Sequence, residues 1–417
     1  MRQEARSFRP AVPLAAALAL FACGDGRSIV DPSPPAAPTS APAAEPVPVN
    51  FLYVAAGADG LLRLTTDAVG KPKPEIERLP GYITAVAVTP AGNIALVSRD
   101  GELETHRIDG TTGALEAVAA PPLSQPSGPT QRPHGALWPK SIVFHPSGGL
   151  AYVMYSYDTH SCGQDVEGVV YAHAIDGNGM VRRLPTELMV AGRSYYWTPP
   201  TAALAGGSSL YTVSAGSIED PGNCDYASTL RGFNLDADSG RMSVIAPSPL
   251  ETVGRTSGDN RHFDWVVGDP AGDWVYVGAR LTASAVLGYR RDAGTGQLTR
   301  VHEMAAASGG LALLSPAGRM YVYSTSIRVF GIDRSTGLLT AGPTVLTPPA
   351  AVFMAFDRSG DFAYVVTGQH TSVTPSVDGA MVQAYRVDRA SGALTAAGEP
   401  VPLPFRDLRG LAVTTAR

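Results

Sequence analysis

From Phe51 onward, short apolar runs rich in Val, Tyr, Ile and Leu are separated by turns of Gly, Asp, Ser and Pro. This is the signature of strands joined by hairpins. The runs fall into a four-strand unit. Strand a is an apolar run leading into a Gly turn, as in "SIVFHPSG" and "FMAFDRSG". Strand b carries Tyr and Val ("LAYVMYS", "WVYVGA", "MYVYST", "FAYVVTG"), and strand c ends in Asp ("VVYAHAID", "VLGYRRD", "IRVFGID", "VQAYRVD"). A tight "xxTG" or "xxSG" turn leads to strand d, which opens on an apolar residue ("GQLTRV", "GLLTAG"). Asp opens that turn through its side chain, and Gly takes its left-handed position.

Strand b recurs near Phe51, Asn93, Leu150, Ser209, Asp273, Arg319 and Asp361. The shortest spacings are about forty residues, the period of a four-stranded propeller blade. The fourth copy, "LAGGSSLYTVS", is the weakest. The first b strand, "FLYVAAG", has no a strand before it, and the last run, "LRGLAVTTA", reads as an a strand with no b after it. The two fragments complement each other. The expected fold is all-β, a seven-bladed β-propeller closed by pairing of the N- and C-terminal strands in one blade, which removes an open edge. Tyr152, Tyr276, Tyr321 and Tyr364 then serve packing first.

The segment before the propeller differs. Arg2, Arg6 and Arg9 precede the apolar stretch "AVPLAAALALFA", too short to span a bilayer, and Cys23 follows. "LFAC" is similar to a bacterial lipobox, which makes Cys23 the lipidation site; a plain secretory signal with a stray Cys is the alternative. A Pro/Ala-rich stretch comes next and should be extended and semi-rigid, reaching about 80 Å at ~3.1 Å per residue. The expected organisation is 1–23 signal peptide, 24–50 tether and 51–417 propeller, held in the cell envelope as a periplasmic or outer-membrane lipoprotein. In that compartment disulfides form. Cys162 and Cys224 fall in the b–c loops of consecutive blades, so they are expected to pair, with two free thiols as the alternative.

The 417 residues carry a formal charge of −5 and no basic patch, so nucleic acid is not an expected partner. No zinc, EF-hand, phosphate-loop or Gly-x-Ser-x-Gly pattern is present, and no metal or cofactor is expected. Propeller geometry puts a–b and c–d turns on one face, b–c and d–a connections on the other. The long pieces, 119–139, 156–167, 191–200, 215–229, 250–262 and 368–380, nearly all belong to the second face, where binding is expected. His134, His160, His262 and His370 fall there. His106, His173 and His302 fall on strands and His145 in an a–b turn, as structural or solvated groups. Arg132, Arg193, Arg255, Arg261, Arg280 and Arg409 lie on or near the same face. They suit a small anionic ligand, or else pair with Asp158, Asp165, Glu167, Asp220, Asp225 and Asp259. Tyr155, Tyr157, Tyr195, Tyr196 and Trp197 offer stacking surfaces or pack the loops.

The blade pattern resembles the lactonase family of seven-bladed propellers, which includes bacterial 6-phosphogluconolactonases and the fungal muconate-lactonising enzyme. "RPHGALWPKSIVFHPSG" is similar to the family's Pro-His segment, implying a role for His134. "NRHFDWVVGDPAG" is similar to its Pro-Arg-His segment, implying roles for Arg261 and His262. "VVTGQHTS" resembles a Gly-Gln stretch near the last blade, implying Gln369. After "WVYV" the family's enzymes carry Asn-Glu where this chain has "GARL", so Arg280 stands near a missing acidic partner, and Asn260 replaces a Pro. Two functions follow. The first is a tethered platform, a monomer binding a ligand or envelope protein through the elaborated face. The alternative is a lactonase-like hydrolase with His134, Arg261, His262 and Arg280 as catalytic residues. Arg132, Trp197, Gln369, His370 and Arg409 would bind ligand in either.

Overall fold

A computed structural model describes residues 49–119, 123, 137–157, 167–185, 189–193, 201–215, 228–253, 261–281, 283–305, 310–347, 350–370, 377–405 and 407–417. They form seven antiparallel sheets and no helix. The first blade joins Gly410–Thr415 as strand a to Asn50–Ala55, Leu61–Thr65 and Glu77–Leu79 as b, c and d. The second runs Ile83–Val88, Ile94–Arg99, Glu102–Ile108 and Leu115–Ala117; the third, Leu137–Phe144, Leu150–Tyr157, Glu167–Ile175 and Val181–Arg183. Thr201–Ala205, Ser209–Ala215, Ser228–Leu235 and Met242–Val244 make the fourth, and His262–Gly268, Trp274–Arg280, Ser284–Arg291 and Leu298–Ala305 the fifth. The sixth has Leu311–Leu314, Met320–Tyr323, Ser326–Ile332 and Leu339–Leu346; the seventh, Ala351–Phe356, Phe362–His370, Val377–Val387 and Leu394–Ala396.

The termini close the ring as expected, with Phe51 opposite Thr414 and Val54 opposite Leu411. Asn50, one residue before the expected start, is fully buried there. Its Nδ2 donates to Tyr364 Oη of the last blade (2.9 Å), and its Oδ1 accepts from Thr415 Oγ1 (2.7 Å). One addition was not legible as a four-strand unit. Met189–Arg193, Glu251–Val253 and Val401–Pro402 pair beside strand d along strand c of blades three, four and seven. Strand d is only three residues long in those blades, and the following segment covers the rest of the longer c edge.

Each strand b buries both sides, because successive side chains point to opposite faces of a sheet. Leu52 and Val54 pack against Phe362, Tyr364 and Val366 of blade seven, whereas Phe51, Tyr53 and Ala55 pack against Ile83, Ala95 and Val97 of blade two. The same pairing of neighbours continues through blades two and three, three and four, four and five, five and six, and six and seven. The ring is therefore one continuous core cut into seven interfaces.

The b-strand tyrosines explain why the c–d turn keeps its Gly. Tyr53, Tyr211, Tyr276 and Tyr321 donate to the carbonyls of Gly113, Gly296, Gly337 and Gly392, each in the next blade's turn, at 2.5 to 3.0 Å. Burial pushes these phenols up, so they remain hydroxyl donors. Gly337 has φ +71°, and a Cβ there would sit 2.3 Å from the Trp274 ring. The Asp that opens each turn accepts from the backbone. Asp109 Oδ1 takes the N–H groups of Thr112 (2.7 Å) and Thr111 (3.0 Å).

Two predictions follow from these contacts. Tyr276→Phe should lose about 1 kcal/mol of unfolding free energy, the net worth of a hydrogen bond, read by urea denaturation. Tyr152→Phe should cost less, because the Tyr152 hydroxyl is buried with no partner among the described residues. Acid should also weaken the ring. Hydrogen bonds hold Asp109, Asp236, Asp292 and Asp388 below the usual carboxylate range, chiefly from backbone N–H groups, and the Ser335 hydroxyl and N–H do so for Asp333. The unfolded chain takes up these protons near pH ~3.9, before the folded chain does. Their stabilisation is thus complete above that pH and is lost as pH falls through the folded values. A thermal midpoint series from pH 6 to 2.5 should fall more shallowly for a variant with these five Asp changed to Asn.

Candidate functional site

The N-terminal ends of the inner a strands and the C-terminal ends of the b strands meet on the face expected to bind. Four inner strands carry a bulge near their start, where Thr84, Lys140, Asp264 and Val352 drop out of the register with strand b. Bulges re-aim side chains and concentrate beside functional sites. Two residues before the bulge stand Tyr82, Trp138 and His262, so different blades present different chemistry from one structural position.

In blades one to three these residues form a connected rim. The Tyr82 and Trp138 rings meet edge to face with centroids 5.5 Å apart. Arg409, at the head of the closing strand, donates from Nη2 to Tyr82 Oη (3.2 Å) and lies with Nε 2.5 Å from Asp407 Oδ1. Thr84 Oγ1 donates to the Pro139 carbonyl and contacts Ser98 Oγ, each at 2.7 Å, tying the bulges of blades two and three together.

Blade five carries a His–Asp pair. His262 Nε2 lies 2.9 Å from Asp264 Oδ1, with the imidazole about a quarter exposed (25%) and the carboxylate nearly buried (7%). A carboxylate accepts only, so Nε2 bears the proton and Nδ1 the lone pair. Asp264 Oδ2 is buried without a partner among the described residues. The Phe263 N–H donates to Ser228 Oγ of blade four at 2.9 Å, which fixes the strand between His262 and Asp264. Arg280 is exposed and sits directly across the ladder from His262. The "GARL" that replaces the family's Asn-Glu has a packing reason: a Cβ on Gly278 would lie 2.2 Å from the buried Trp265 ring. Arg261 precedes His262 and is partly buried.

The structure therefore brings His262 and Arg280 together, with Arg261 adjoining, and puts Arg409 on the rim of blades one and two. Gln369 and His370 lie at the end of strand b in blade seven, opposite Asp378 and Val377. The backbone of Arg193 lies in register with that of Glu167. Cys23, Arg132, His134, His160, Cys162, Trp197, Cys224 and Arg255 lie outside the described residues. The remaining histidines are structural. His106 and His173 are buried on strands, and burial pushes His173 down to about 3. His302 packs against Tyr276, with ring centroids 6.3 Å apart. His145 Nε2 lies 2.9 Å from the Gly207 carbonyl in the opposite-face turns.

Sequence reasoning missed Asp264, Tyr82, Trp138 and Lys140. For Asp264 a local signal was present, an acid two residues after His262, and the bulge at Asp264 brings it to the imidazole. The acidic partner was sought on strand b, and it comes from strand a.

No protein-family model matches the chain, and no curated protein sequence matches it. Solved structures do. The periplasmic gluconolactonase of Pseudomonas aeruginosa is 14% identical, with a TM-score of 0.61, covering 88% of this chain and 100% of its own. A candidate 6-phosphogluconolactonase of Bacteroides fragilis is 14% identical, with a TM-score of 0.57, covering 89% of this chain and 99% of its own. Its counterpart from Bacteroides uniformis is also 14% identical, with a TM-score of 0.59, covering 88% and 99%. The chain is built on the seven-bladed propeller that these lactonase-type proteins share.

Proposed function

We propose that the protein hydrolyses sugar lactones at this face, with His262 as general base, Asp264 as its orienting acid, and Arg280 and Arg261 as electrophilic groups. The contact between His262 and Asp264, with Arg280 across the ladder, carries the reading. Asp264 holds the imidazole in the tautomer whose Nδ1 takes a proton from water. The water oxygen bonds to the lactone carbonyl carbon, and charge develops on the carbonyl oxygen. A guanidinium placed at that oxygen lowers the barrier in a site partly shielded from water. Collapse breaks the acyl–oxygen bond of the ring, and His262 returns its proton to the departing ring oxygen, giving the open hydroxy acid. Tyr82 and Trp138 offer an aromatic surface to the C–H face of a sugar ring, and Arg409 a cation for its carboxylate product.

A binding platform ranks first on sequence because of its expected tether, its elaborated loops and the lack of an acid after strand b of blade five, the last of which is the objection to a hydrolase. Asp264 removes that objection and favours the hydrolase. The fold shared with a protein named a periplasmic gluconolactonase supports a lactone as substrate and the cell envelope as location. The N-terminal features support the same location through lipidation of Cys23. Among the described residues no helix is long and apolar enough to cross a membrane.

The purified protein should accelerate acid release from a panel of sugar lactones in a pH-stat, above the spontaneous rate. His262→Ala should lower kcat by about 10²–10⁴-fold, the usual worth of a positioned base, and Asp264→Asn by less. Loss in His134→Ala would add the residue implied by the family resemblance. A wild-type rate equal to background on every lactone overturns the hydrolase and leaves the platform. Separately, peptide mapping of exported protein without reductant should recover a Cys162–Cys224 cross-link, and two free thiols would exclude it.

A further inference from the structure

The mouth of blades one to three holds a second built arrangement, apart from the His262–Asp264 pair. Its scaffold is backbone. The tight b–c turn of blade two puts Asp100 and Gly101 both at positive φ, +52° and +85°, the pattern of a two-residue hairpin. Among the described residues Asp100 is the one non-glycine with positive φ. The turn clasps Tyr82 twice. Asp100 Oδ1 accepts from the Tyr82 N–H (2.8 Å), and the Asp100 N–H donates to the Tyr82 carbonyl (2.9 Å). Blade one is tied to the same point, since the Ile83 N–H donates to the Gly57 carbonyl (2.9 Å) and the Arg409 N–H to the Ala55 carbonyl (2.7 Å). Gly57 has φ +48°, and a Cβ there would collide with the Asp407 carboxylate.

Side chains of matched chemistry stand on that scaffold. Arg409 Nη2 donates to Tyr82 Oη and to Asp407 Oδ2, each at 3.2 Å, and the Tyr82 ring meets Trp138 edge to face. None of the four is sealed. Tyr82 and Trp138 are half-buried, and the side chains of Asp407 and Arg409 are about a quarter exposed (24% and 26%). An ion pair this exposed adds little stability, so stability alone gives no reason to brace it from neighbouring blades. Two aromatic rings beside an acceptor and a donor suit a sugar, whose C–H faces stack on rings and whose hydroxyls need polar partners.

The ring order separates this rim from the hydrolytic pair. Tyr82 and Trp138 belong to blades two and three, His262 and Asp264 to blade five, and blade four packs between. Two sheet-to-sheet spacings come to about 20 Å at mid-sheet and less towards the axis. One sugar ring held on Tyr82 and Trp138 leaves His262 out of reach, whereas two linked rings cross the mouth. We propose that blades one to three carry a subsite for a second sugar unit, so that the preferred ligand is a sugar lactone bearing a glycosyl substituent. The lactone end rests on the hydrolase reading above, and the glycosyl end stands on this rim alone.

The test uses the full chain and aldonates, the open products, so that binding is read without turnover. Titration calorimetry should show lactobionate, maltobionate or cellobionate binding at least tenfold tighter than gluconate, which lacks the second ring. Trp138→Ala should bring that ratio close to one, and Asp407→Asn should reduce it; circular dichroism checks that each variant is folded. In ligand-observed NMR the strongest saturation transfer should fall on the C–H protons of the glycosyl ring. With the corresponding lactones, Trp138→Ala should raise KM more than it lowers kcat. A second ring that adds nothing to affinity, or a gain that survives both variants, overturns the subsite even if lactones are hydrolysed. A gain in binding with no lactone opened keeps the subsite and sinks the hydrolase instead.

Discussion

Two-sided burial of strand b is the constraint on which everything else depends. A lone four-stranded sheet would leave both apolar sides of strand b in water. Leu52 and Phe51 are adjacent, both buried, and pack against different blades. No blade is complete without two neighbours, and only a ring satisfies all of them. The burden then falls on closure. Without it, blades one and seven would each expose a core face. Asn50 shows how closure is made specific. It is a fully buried polar residue whose donor and acceptor are both met, by the last blade and by the closing strand. Apolar contact supplies most of the burial energy, and that amide fixes which strands meet.

Much of this was legible because the repeat encodes both halves of the interface. The Tyr of strand b and the Gly of the next c–d turn recur together because one bonds to the other across blades. Ring number followed from counting b strands, and closure from the unmatched halves at the two ends. The site was only partly legible. His262 and Arg280 were visible as residue types near a face, and their registration across the ladder followed from the fold. Asp264 was not legible because a bulge, invisible in the sequence pattern, takes it out of the strand register. Tyr82 and Trp138 carry no motif; their shared position appears only when bulges in different blades are aligned. The extra edge strands were hidden by their length, since segments of 5, 3 and 2 residues show little or no period.

Those bulges connect architecture to chemistry. A regular inner strand turns alternate residues toward its own blade and away from it. One extra residue breaks that rule at a chosen depth, and in blade five the residue is Asp264. The surrounding packing holds it there. Trp265 is buried against Gly278, and Phe263 is tied to Ser228. A functional pair built on such a strand inherits the precision of the core. The loops can then vary without disturbing the His–Asp distance.

The chain contains two His–carboxylate pairs, and comparing them shows why only one suits acid–base work. Both spacings are His and acid two residues apart on one strand. His262 is a quarter exposed at the mouth of the ring, with Arg280 opposite it across the ladder. Its carboxylate can stabilise an imidazolium as it forms. His106 is buried, and its carboxylate is shared with Arg99. A proton placed on that ring would face desolvation and a nearby guanidinium, and burial is the larger opposing effect. In the proposed hydrolase the inner pair would exchange protons with water, whereas burial holds the outer imidazole below its ordinary value. That environment opposes protonation of the buried ring and sets it apart from the partly exposed one.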